Sequence, residues 1–243
     1  MIESCQMAKL AMLLIALATV AGLAGRATAE VSRHSCVPKR AEIRFKAADG
    51  TRLAGIRLGR GRTAVVLAHQ SRGDACQWAS YARRLAGMGY LVIAFDFRGY
   101  GDSQARGGRA ANRLSADVTA AARAARARGA RKVFALGASM GGTAAIAAGV
   151  HTRPLLTGVI SLSAPAVFGS VSAIDVVPRL TVPVLYVVGQ FDQDFAADAQ
   201  RLYDATGATD KAIHVLPVGG HGVELVRLDP HARGIVERFI RSR

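Results

Sequence analysis

The chain has 243 residues, and 51% of them are hydrophobic, which is enough for a full core and too much for a disordered protein. The formal net charge is +15, carried mainly by arginines that are scattered along the sequence. Because no run of five like charges occurs and no aromatic residues are interleaved with the basic ones, the composition argues against a nucleic acid partner.

The N-terminal segment is predicted to be a targeting signal. Leu10–Ala24 is almost wholly apolar, Lys9 precedes it, and an Ala-Thr-Ala sequence ends at Ala29. These features are typical of a secretory signal peptide, here residues 1–29. The alternative is a retained membrane anchor, although about 15 apolar residues are short for a span that needs ~20. We therefore expect a protein that is secreted or exported to the periplasm or cell envelope, with residues 30–243 forming one domain.

Cleavage of this segment would leave two cysteines, Cys36 and Cys76. An even pair in an oxidising compartment is compatible with one disulfide. Such a bridge would join the mature N-terminus to the loop after the third predicted strand. Two unpaired buried thiols are the alternative.

Strand-like and helix-like segments alternate from residue 41 onwards. Two strands, 41–46 and 52–58, flank an Asp49-Gly50 hairpin signal. Continuous apolar runs then indicate strands buried on both faces, and the segments between them indicate helices. The further predicted strands are Thr63–Ala68, Leu91–Phe97, Val133–Leu136, Gly158–Ser163, Pro183–Val188 and Lys211–Pro217. The predicted helices are Trp78–Met88, Leu114–Arg128, Thr143–Val150, Phe195–Thr206 and Glu224–Arg241.

This order predicts an α/β fold. An antiparallel start followed by alternating strands and helices implies a mostly parallel central sheet of about eight strands with helices on both faces. The carboxyl ends of parallel strands meet at one edge of such a sheet, where α/β proteins bind their ligands.

The predicted strand 133–136 is followed by Gly137-Ala138-Ser139-Met140-Gly141 and then by an Ala-rich segment that is predicted to be a helix. A Gly-x-Ser-x-Gly sequence between a strand and a helix is typical of a nucleophile elbow, a sharp turn that holds a serine hydroxyl clear of the sheet. The free N–H groups at the start of the helix then lie beside that hydroxyl. Taken alone, the pentapeptide is equally compatible with a glycine-rich turn that has no chemical role.

Four motifs in order make the chain resemble the α/β-hydrolase superfamily from about Arg44 to the C-terminus. The elbow is the first of them, and it matches Ser139 to the family's nucleophile. A serine hydroxyl is inert at neutral pH until a histidine takes its proton, and a carboxylate must fix the tautomer of that histidine. The family's chain order is serine, acid, histidine, so the resemblance implies that both partners lie downstream of Ser139.

The acid and the histidine are implied by the second and third motifs. The family's Gly-x-x-Asp pattern after the strand 183–188 matches Asp192, and Asp194 is the fallback acid. A loop acid or a helix N-cap is the alternative for both, and Asp194 fits the cap better. The histidine of the family matches His221 in the glycine-rich segment Gly219–Gly222, directly after the last predicted strand.

The resemblance also implies an oxyanion hole made of two backbone N–H groups. Met140, which follows the nucleophile, supplies one. The other belongs to the loop after the third strand, where the sequence His69-Gln70-Ser71 has glutamine in place of the family's glycine. Ser71 matches the donor by position, and Gln70 is the alternative. His69 is expected to support this loop through its ring.

The fourth motif is Asp96–Ser103, which is similar to the family's Asp-x-Arg-Gly-x-Gly-x-Ser. The resemblance implies that its acid and arginine hold the loop beside the elbow and take no part in chemistry.

Together these motifs predict an exported serine hydrolase that cleaves carboxylic esters through Ser139, Asp192, His221 and an acyl-enzyme intermediate. We expect no cofactor, and no metal site because the histidines and acids lack ligand spacing. Two alternatives remain open: an acyltransferase that uses the same triad, and a non-catalytic secreted binding module on the same fold.

The substrate is less well defined by the sequence. Only residues 166–180 stand where relatives carry a large cap, so an open site for a small or lipid-derived ester is expected. An exported basic enzyme could also associate with an anionic envelope surface. The aromatic residues considered as pocket walls are Trp78, Tyr81, Tyr100 and Phe168, with ordinary packing as the alternative role for each.

Overall fold

A computed structural model describes residues 34–105, 107 and 113–243. The predicted signal peptide and its cleavage site lie outside the described residues. Across the described ranges, no helix is both long enough and apolar enough to cross a membrane.

Eight strands form one sheet, and two very short strands form a separate hairpin. The strands are β1 (Glu42–Lys46), β2 (Arg52–Leu58), β3 (Thr63–Ala68), β4 (Leu91–Phe95), β5 (Lys132–Ala138), β6 (Gly158–Leu162), β7 (Val167–Phe168), β8 (Val171–Ser172), β9 (Val184–Gly189) and β10 (Lys211–Leu216). The large sheet has the order β1-β2-β4-β3-β5-β6-β9-β10. β2 pairs antiparallel with β1 and with β4, and all other neighbours are parallel. The predicted mostly parallel sheet with antiparallel first strands is confirmed.

The helices cover both faces of this sheet. They are α1 (Ala79–Gly87), α2 (Leu114–Arg126), α3 (Met140–His151), α4 (Gln193–Ala205), α5 (Val223–Leu228) and α6 (Pro230–Arg241). One core contains residues of α2, α3 and α4, and a second core on the opposite face contains residues of α1, α5 and α6.

Strand β3 illustrates why the central strands are apolar throughout. Ala64, Val66 and Ala68 belong to the core beneath α2 and α3, whereas Val65 and Leu67 belong to the core beneath α1 and α6. Successive side chains of a strand point to opposite faces, and here both faces are covered. Each residue from Ala64 to Ala68 therefore has to be apolar.

The C-terminal helix differs from the prediction. The single helix expected over Glu224–Arg241 is wrong, because the chain forms α5 and α6 with a break at Asp229-Pro230. Proline lacks an N–H group and disfavours a helical residue before it, so α5 ends there. The Asp229 carboxylate then caps α6 by accepting the N–H of His231 at 2.7 Å.

A disulfide joins Cys36 to Cys76, with their Cα atoms 5.8 Å apart. It connects the segment before β1 to a short 3-10 helix, Ala75–Trp78, that follows the loop after β3. The bridge therefore lies close in the chain to the loop that begins at His69.

Removing the disulfide should lower the free energy of unfolding substantially. For cysteines 40 positions apart, the entropy of loop closure in the unfolded chain corresponds to about 4 kcal/mol. We expect a Cys36→Ala, Cys76→Ala double variant to unfold at correspondingly lower urea concentration than the oxidised wild type. Reductant should destabilise the wild type and leave the double variant unchanged. Equal urea midpoints for the oxidised wild type and the variant would contradict this expectation.

Candidate active site

The carboxyl ends of β3, β5, β9 and β10 lie at one edge of the sheet, because these strands are parallel and belong to one ladder. The segments that leave those ends carry His69–Ser71, Ser139, Asp192 and His221. The fold therefore brings the three candidate triad residues and the loop after β3 to the same edge.

Ser139 occupies a strained turn between β5 and α3. Its φ is 50° and its ψ is −120°, a conformation that non-glycine residues rarely adopt. A Cβ atom at Gly137 would lie 2.0 Å from the carbonyl oxygen of Gly141, and one at Gly141 would lie 2.2 Å from that of Ala68. Both positions therefore require glycine. The Ser139 N–H donates to the carbonyl of Leu162 at 2.8 Å, which ties the turn to β6.

His221 and Asp192 form the hydrogen-bonded pair that the elbow would need. Nδ1 of His221 lies 2.9 Å from Oδ2 and 3.2 Å from Oδ1 of Asp192. Because a carboxylate accepts, Nδ1 carries the proton and Nε2 is left as the basic nitrogen. The ring of Phe195 packs against the imidazole, with centroids 4.3 Å apart. The His221 side chain is 30% exposed, so water reaches it.

The two candidate acids differ clearly in their surroundings. Asp192 ends the loop after β9 and directs its carboxylate to His221 without capping α4. Asp194 lies in the first turn of α4, and the described residues include no hydrogen bond between it and His221. Neither side chain accepts a capping hydrogen bond from this helix, so the capping alternative considered for these two acids is not observed.

The loop that carries His221 packs against both the elbow and the loop after β3. A Cβ atom at Gly222 would lie 3.1 Å from the Cβ of Ala138 and 2.5 Å from Oε1 of Gln70. The N–H of Val223 donates to the same Oε1 at 3.2 Å. These contacts hold the histidine loop next to the residue that precedes Ser139.

The loop after β3 leaves one of its two candidate N–H donors free. The Gln70 N–H donates to Oε1 of Gln77 at 3.3 Å. Within the described parts of the chain, the N–H groups of Ser71 and Met140 have no hydrogen-bond acceptor. Ser71 and Met140 are thus available to bind an oxyanion, whereas Gln70 is engaged. The sequence offered no signal for the contribution of Gln77.

His69 supports this loop through both ring nitrogens. Its Nδ1 lies 2.8 Å from the carbonyl of Gln70, and its Nε2 accepts the N–H of Phe97 at 3.0 Å. Burial lowers the pKa of His69, so the ring is neutral, with the proton on Nδ1. The ring also packs edge-on against Phe97 and Tyr100.

Asp96 anchors the neighbouring loops. Its carboxylate accepts the N–H groups of Ala75 and Asp102, each at 2.8 Å, and lies 2.9 Å from Nε2 of His34. His34 has no motif context in the sequence, and its role depends on a contact with Asp96, a residue distant in the chain. Burial acts to lower the pKa of His34, but the hydrogen bond and the charges of Asp96, Asp102 and Asp74 outweigh it and raise that pKa.

Arg98, the arginine of the same motif, is held by two carboxylates. Its guanidinium bonds both oxygens of Asp117, and it also donates to Asp49 at 2.8 Å. Arg98 and Asp117 are both buried, so each charge is neutralised by a partner. These contacts fix the position of the loop that contains Arg98.

The aromatic candidates divide into two groups. Trp78 and Tyr81 are buried in the core beneath α1. Tyr100 and Phe168 line a cavity of about 140 Å³ that Met140 also borders. Among the described residues, no group of three or more histidine, cysteine, aspartate or glutamate side chains could hold a metal ion.

Residues 59–175 match a family model described as serine aminopeptidase, S33. No curated protein matches the chain in sequence. Solved structures similar to this chain include an esterase of Pyrococcus furiosus, with 16% identity, coverage of 83% of this chain and 91% of that chain, and a TM-score of 0.71. A thermophilic esterase of Thermogutta terrifontis has 19% identity, coverage of 83% and 98%, and a TM-score of 0.69. An esterase of Rhodococcus sp. has 19% identity, coverage of 83% and 99%, and a TM-score of 0.68.

Replacing Gln70 by alanine should weaken the contact between the loop after β3 and the histidine loop. The Val223 N–H loses its acceptor, so we expect the free energy of unfolding to fall by about 1 kcal/mol. Gln70→Glu keeps an oxygen at that position and should remain close to the wild type. Gln200→Ala, on the exposed face of α4, is the matched control in urea unfolding. Equal stabilities of Gln70→Ala and Gln200→Ala would count against the contact.

The stabilising effect of the His34–Asp96 pair should decrease as the pH rises above 6.5. Since the pKa of His34 is raised in the folded protein, the native state keeps this proton where the unfolded chain has released it. Unfolding is then favoured by rising pH. We expect the stability gap between wild type and His34→Gln to be larger at about pH 6 than at about pH 8.5 in urea titrations. A stability gap for His34→Gln that does not change with pH would refute the effect.

Proposed function

Because the chain belongs to the α/β-hydrolase superfamily, we propose that it is a serine hydrolase that cleaves carboxylic esters. Ser139 is the nucleophile, His221 the general base and Asp192 the residue that orients the histidine. The observation that carries the proposal is the hydrogen bond between His221 and Asp192, 2.9 Å long, in a loop that packs against the strained elbow. The esterases among the similar structures support the choice of ester substrates.

The reaction proceeds in two steps. In the first, Oγ of Ser139 bonds to the carbonyl carbon while Nε2 of His221 takes the hydroxyl proton. The N–H groups of Met140 and Ser71 hold the oxyanion, and the carbon–oxygen bond to the alcohol breaks as His221 returns the proton to the leaving alkoxide. In the second step, water attacks the acyl-enzyme and gives a proton to His221, which passes it to Oγ of Ser139 as the acyl–oxygen bond breaks and the acid is released.

Hydrolysis is favoured over acyl transfer by the exposure of the histidine. The His221 side chain is 30% exposed, so bulk water competes at the second step with any acceptor alcohol. An acyltransferase would need a site from which water is excluded. The peptidase name of the matching family model gives amide substrates as a further candidate, since the same triad also cleaves amides.

We also propose that the protein is exported. The support is the predicted signal peptide at residues 1–29 together with the Cys36–Cys76 disulfide, because such bridges persist in oxidising compartments. The net charge of +15 would suit an anionic envelope surface.

Exchange of the triad residues should abolish ester hydrolysis selectively. We expect Ser139→Ala and Asp192→Asn to lower kcat/KM for p-nitrophenyl butyrate by about 10⁴-fold, because one loses the nucleophile and the other the correct tautomer of His221. Asp194→Asn, two residues away, is the matched control and should stay within a few-fold of the wild type. Circular dichroism verifies that each variant is folded.

Three companion measurements separate the alternatives. A fluorophosphonate should label the wild type but not Ser139→Ala, and absence of labelling would support a non-catalytic binding module. Products with an added alcohol acceptor distinguish hydrolysis from transfer. Faster cleavage of a peptidyl p-nitroanilide than of the ester would favour a peptidase. Full activity in Ser139→Ala would overturn the proposal.

A further inference from the structure

A small cavity whose lining contains no charged residue is bordered by Met140, which directly follows Ser139. Its volume is about 140 Å³, and its walls include Tyr100, Leu114, Met140, Phe168 and Val171. Met140, Leu114 and Val171 are buried, and none of the residues that line the cavity is charged. An apolar group, and not a charged one, would gain free energy by entering it.

The position of the cavity restricts which part of a substrate can reach it. Met140 directly follows Ser139, and its N–H is free of any acceptor among the described residues. On another wall, the ring of Tyr100 packs against His69, with centroids 5.1 Å apart, at the start of the loop that holds Ser71. The cavity is therefore bordered by Met140, one of the two proposed N–H donors, and by Tyr100, which packs against the start of the loop that carries the other. A group that occupies it while these donors hold the carbonyl oxygen belongs to the part of the substrate next to the carbonyl.

A second and larger cavity is chemically different. It has a volume of about 590 Å³, also borders Tyr100, and is lined by polar and charged residues that include Arg72, Asp74 and Gln77. A hydrocarbon chain would gain little there, whereas a polar alcohol group would find hydrogen-bond partners. The contrast assigns the hydrocarbon part of an ester to the smaller cavity.

We propose that the cavity bordered by Met140 and Phe168 is the acyl pocket and that the substrates are esters of short aliphatic acids. This inference rests on the proposed ester hydrolysis. A water molecule occupies ~30 Å³ and a methylene group is of similar size, so the cavity holds roughly four or five such groups. Acyl chains of about two to four carbons fit, and longer chains must leave part of their apolar surface in water.

The end of the pocket is formed by the β7–β8 hairpin. Phe168 ends β7, Val171 begins β8, and Gly169 adopts a φ of 57° in the turn between them. The hairpin is fixed at its base, because the Ala166 N–H donates to Asp198 of α4 at 2.8 Å. Side chains of this anchored hairpin therefore set the depth of the pocket, and substituting them should change that depth.

The test is an acyl-chain profile with p-nitrophenyl esters from acetate to decanoate. Each methylene that fits a pocket changes kcat/KM by about 10-fold or more. We expect wild-type kcat/KM to be at least about 100-fold lower for octanoate than for butyrate. Phe168→Ala opens the pocket and should reduce that ratio by about 10-fold. Val171→Phe fills it and should favour acetate over butyrate.

The control is Val167→Ala, on the same hairpin but 50% exposed and not a wall of the cavity. It should keep the wild-type profile. A flat wild-type profile, or one that neither Phe168→Ala nor Val171→Phe shifts, would overturn the pocket assignment while Ser139-dependent hydrolysis still stood. Loss of Ser139 dependence would instead overturn the proposed function itself, so the two failures are distinguishable.

Discussion

The site depends on a crossing of backbone segments that leaves no room for side chains. A Cβ atom at Gly137 would meet the Gly141 carbonyl, and one at Gly141 would meet the carbonyls of Ala68 and His69. The start of α3 therefore rests directly on the end of β3. This contact fixes the free N–H of Met140 relative to the loop that carries Ser71, without help from side chains. Because α3 begins directly after β5, Ser139 has to adopt a strained backbone conformation.

Two glutamine side chains, Gln70 and Gln77, connect the loops next to this crossing. Gln77 engages the N–H of Gln70, and Gln70 in turn accepts the N–H of Val223 in the histidine loop. Gln70, which stands where the family has glycine, thus links the loop after β3 to the loop that carries His221. Gln77 also adjoins Cys76, so the disulfide restrains the helix that supplies this contact.

The sequence predicts those features that depend on local order along the chain. Continuous apolar runs mark the buried strands, and the motifs at the ends of these strands, which resemble those of the α/β-hydrolase superfamily, allowed Ser139, Asp192 and His221 to be named. Features that depend on contacts between side chains of distant segments could not be predicted from the sequence. The His34–Asp96 contact joins residues 62 positions apart, and the bond from Val223 to Gln70 spans 153 positions. The break in the C-terminal helix was open to prediction, because Pro230 disfavours a helical conformation at the residue before it.

The short connection between β6 and β9 relates the proposed chemistry to the proposed substrate. This connection forms the β7–β8 hairpin and one 3-10 turn, Val177–Arg179, and the hairpin is tied to α3 by the bond from Thr143 Oγ1 to the Pro165 carbonyl, 2.7 Å long. The connection, all of which the structure describes, contains no other helix or strand, and the His221 side chain is 30% exposed, as the proposed attack of water on an acyl-enzyme requires. A connection this short also offers little apolar surface to a long acyl chain, in keeping with the proposed short-chain substrates. We therefore expect that lengthening this connection would change both the access of water and the preferred acyl length.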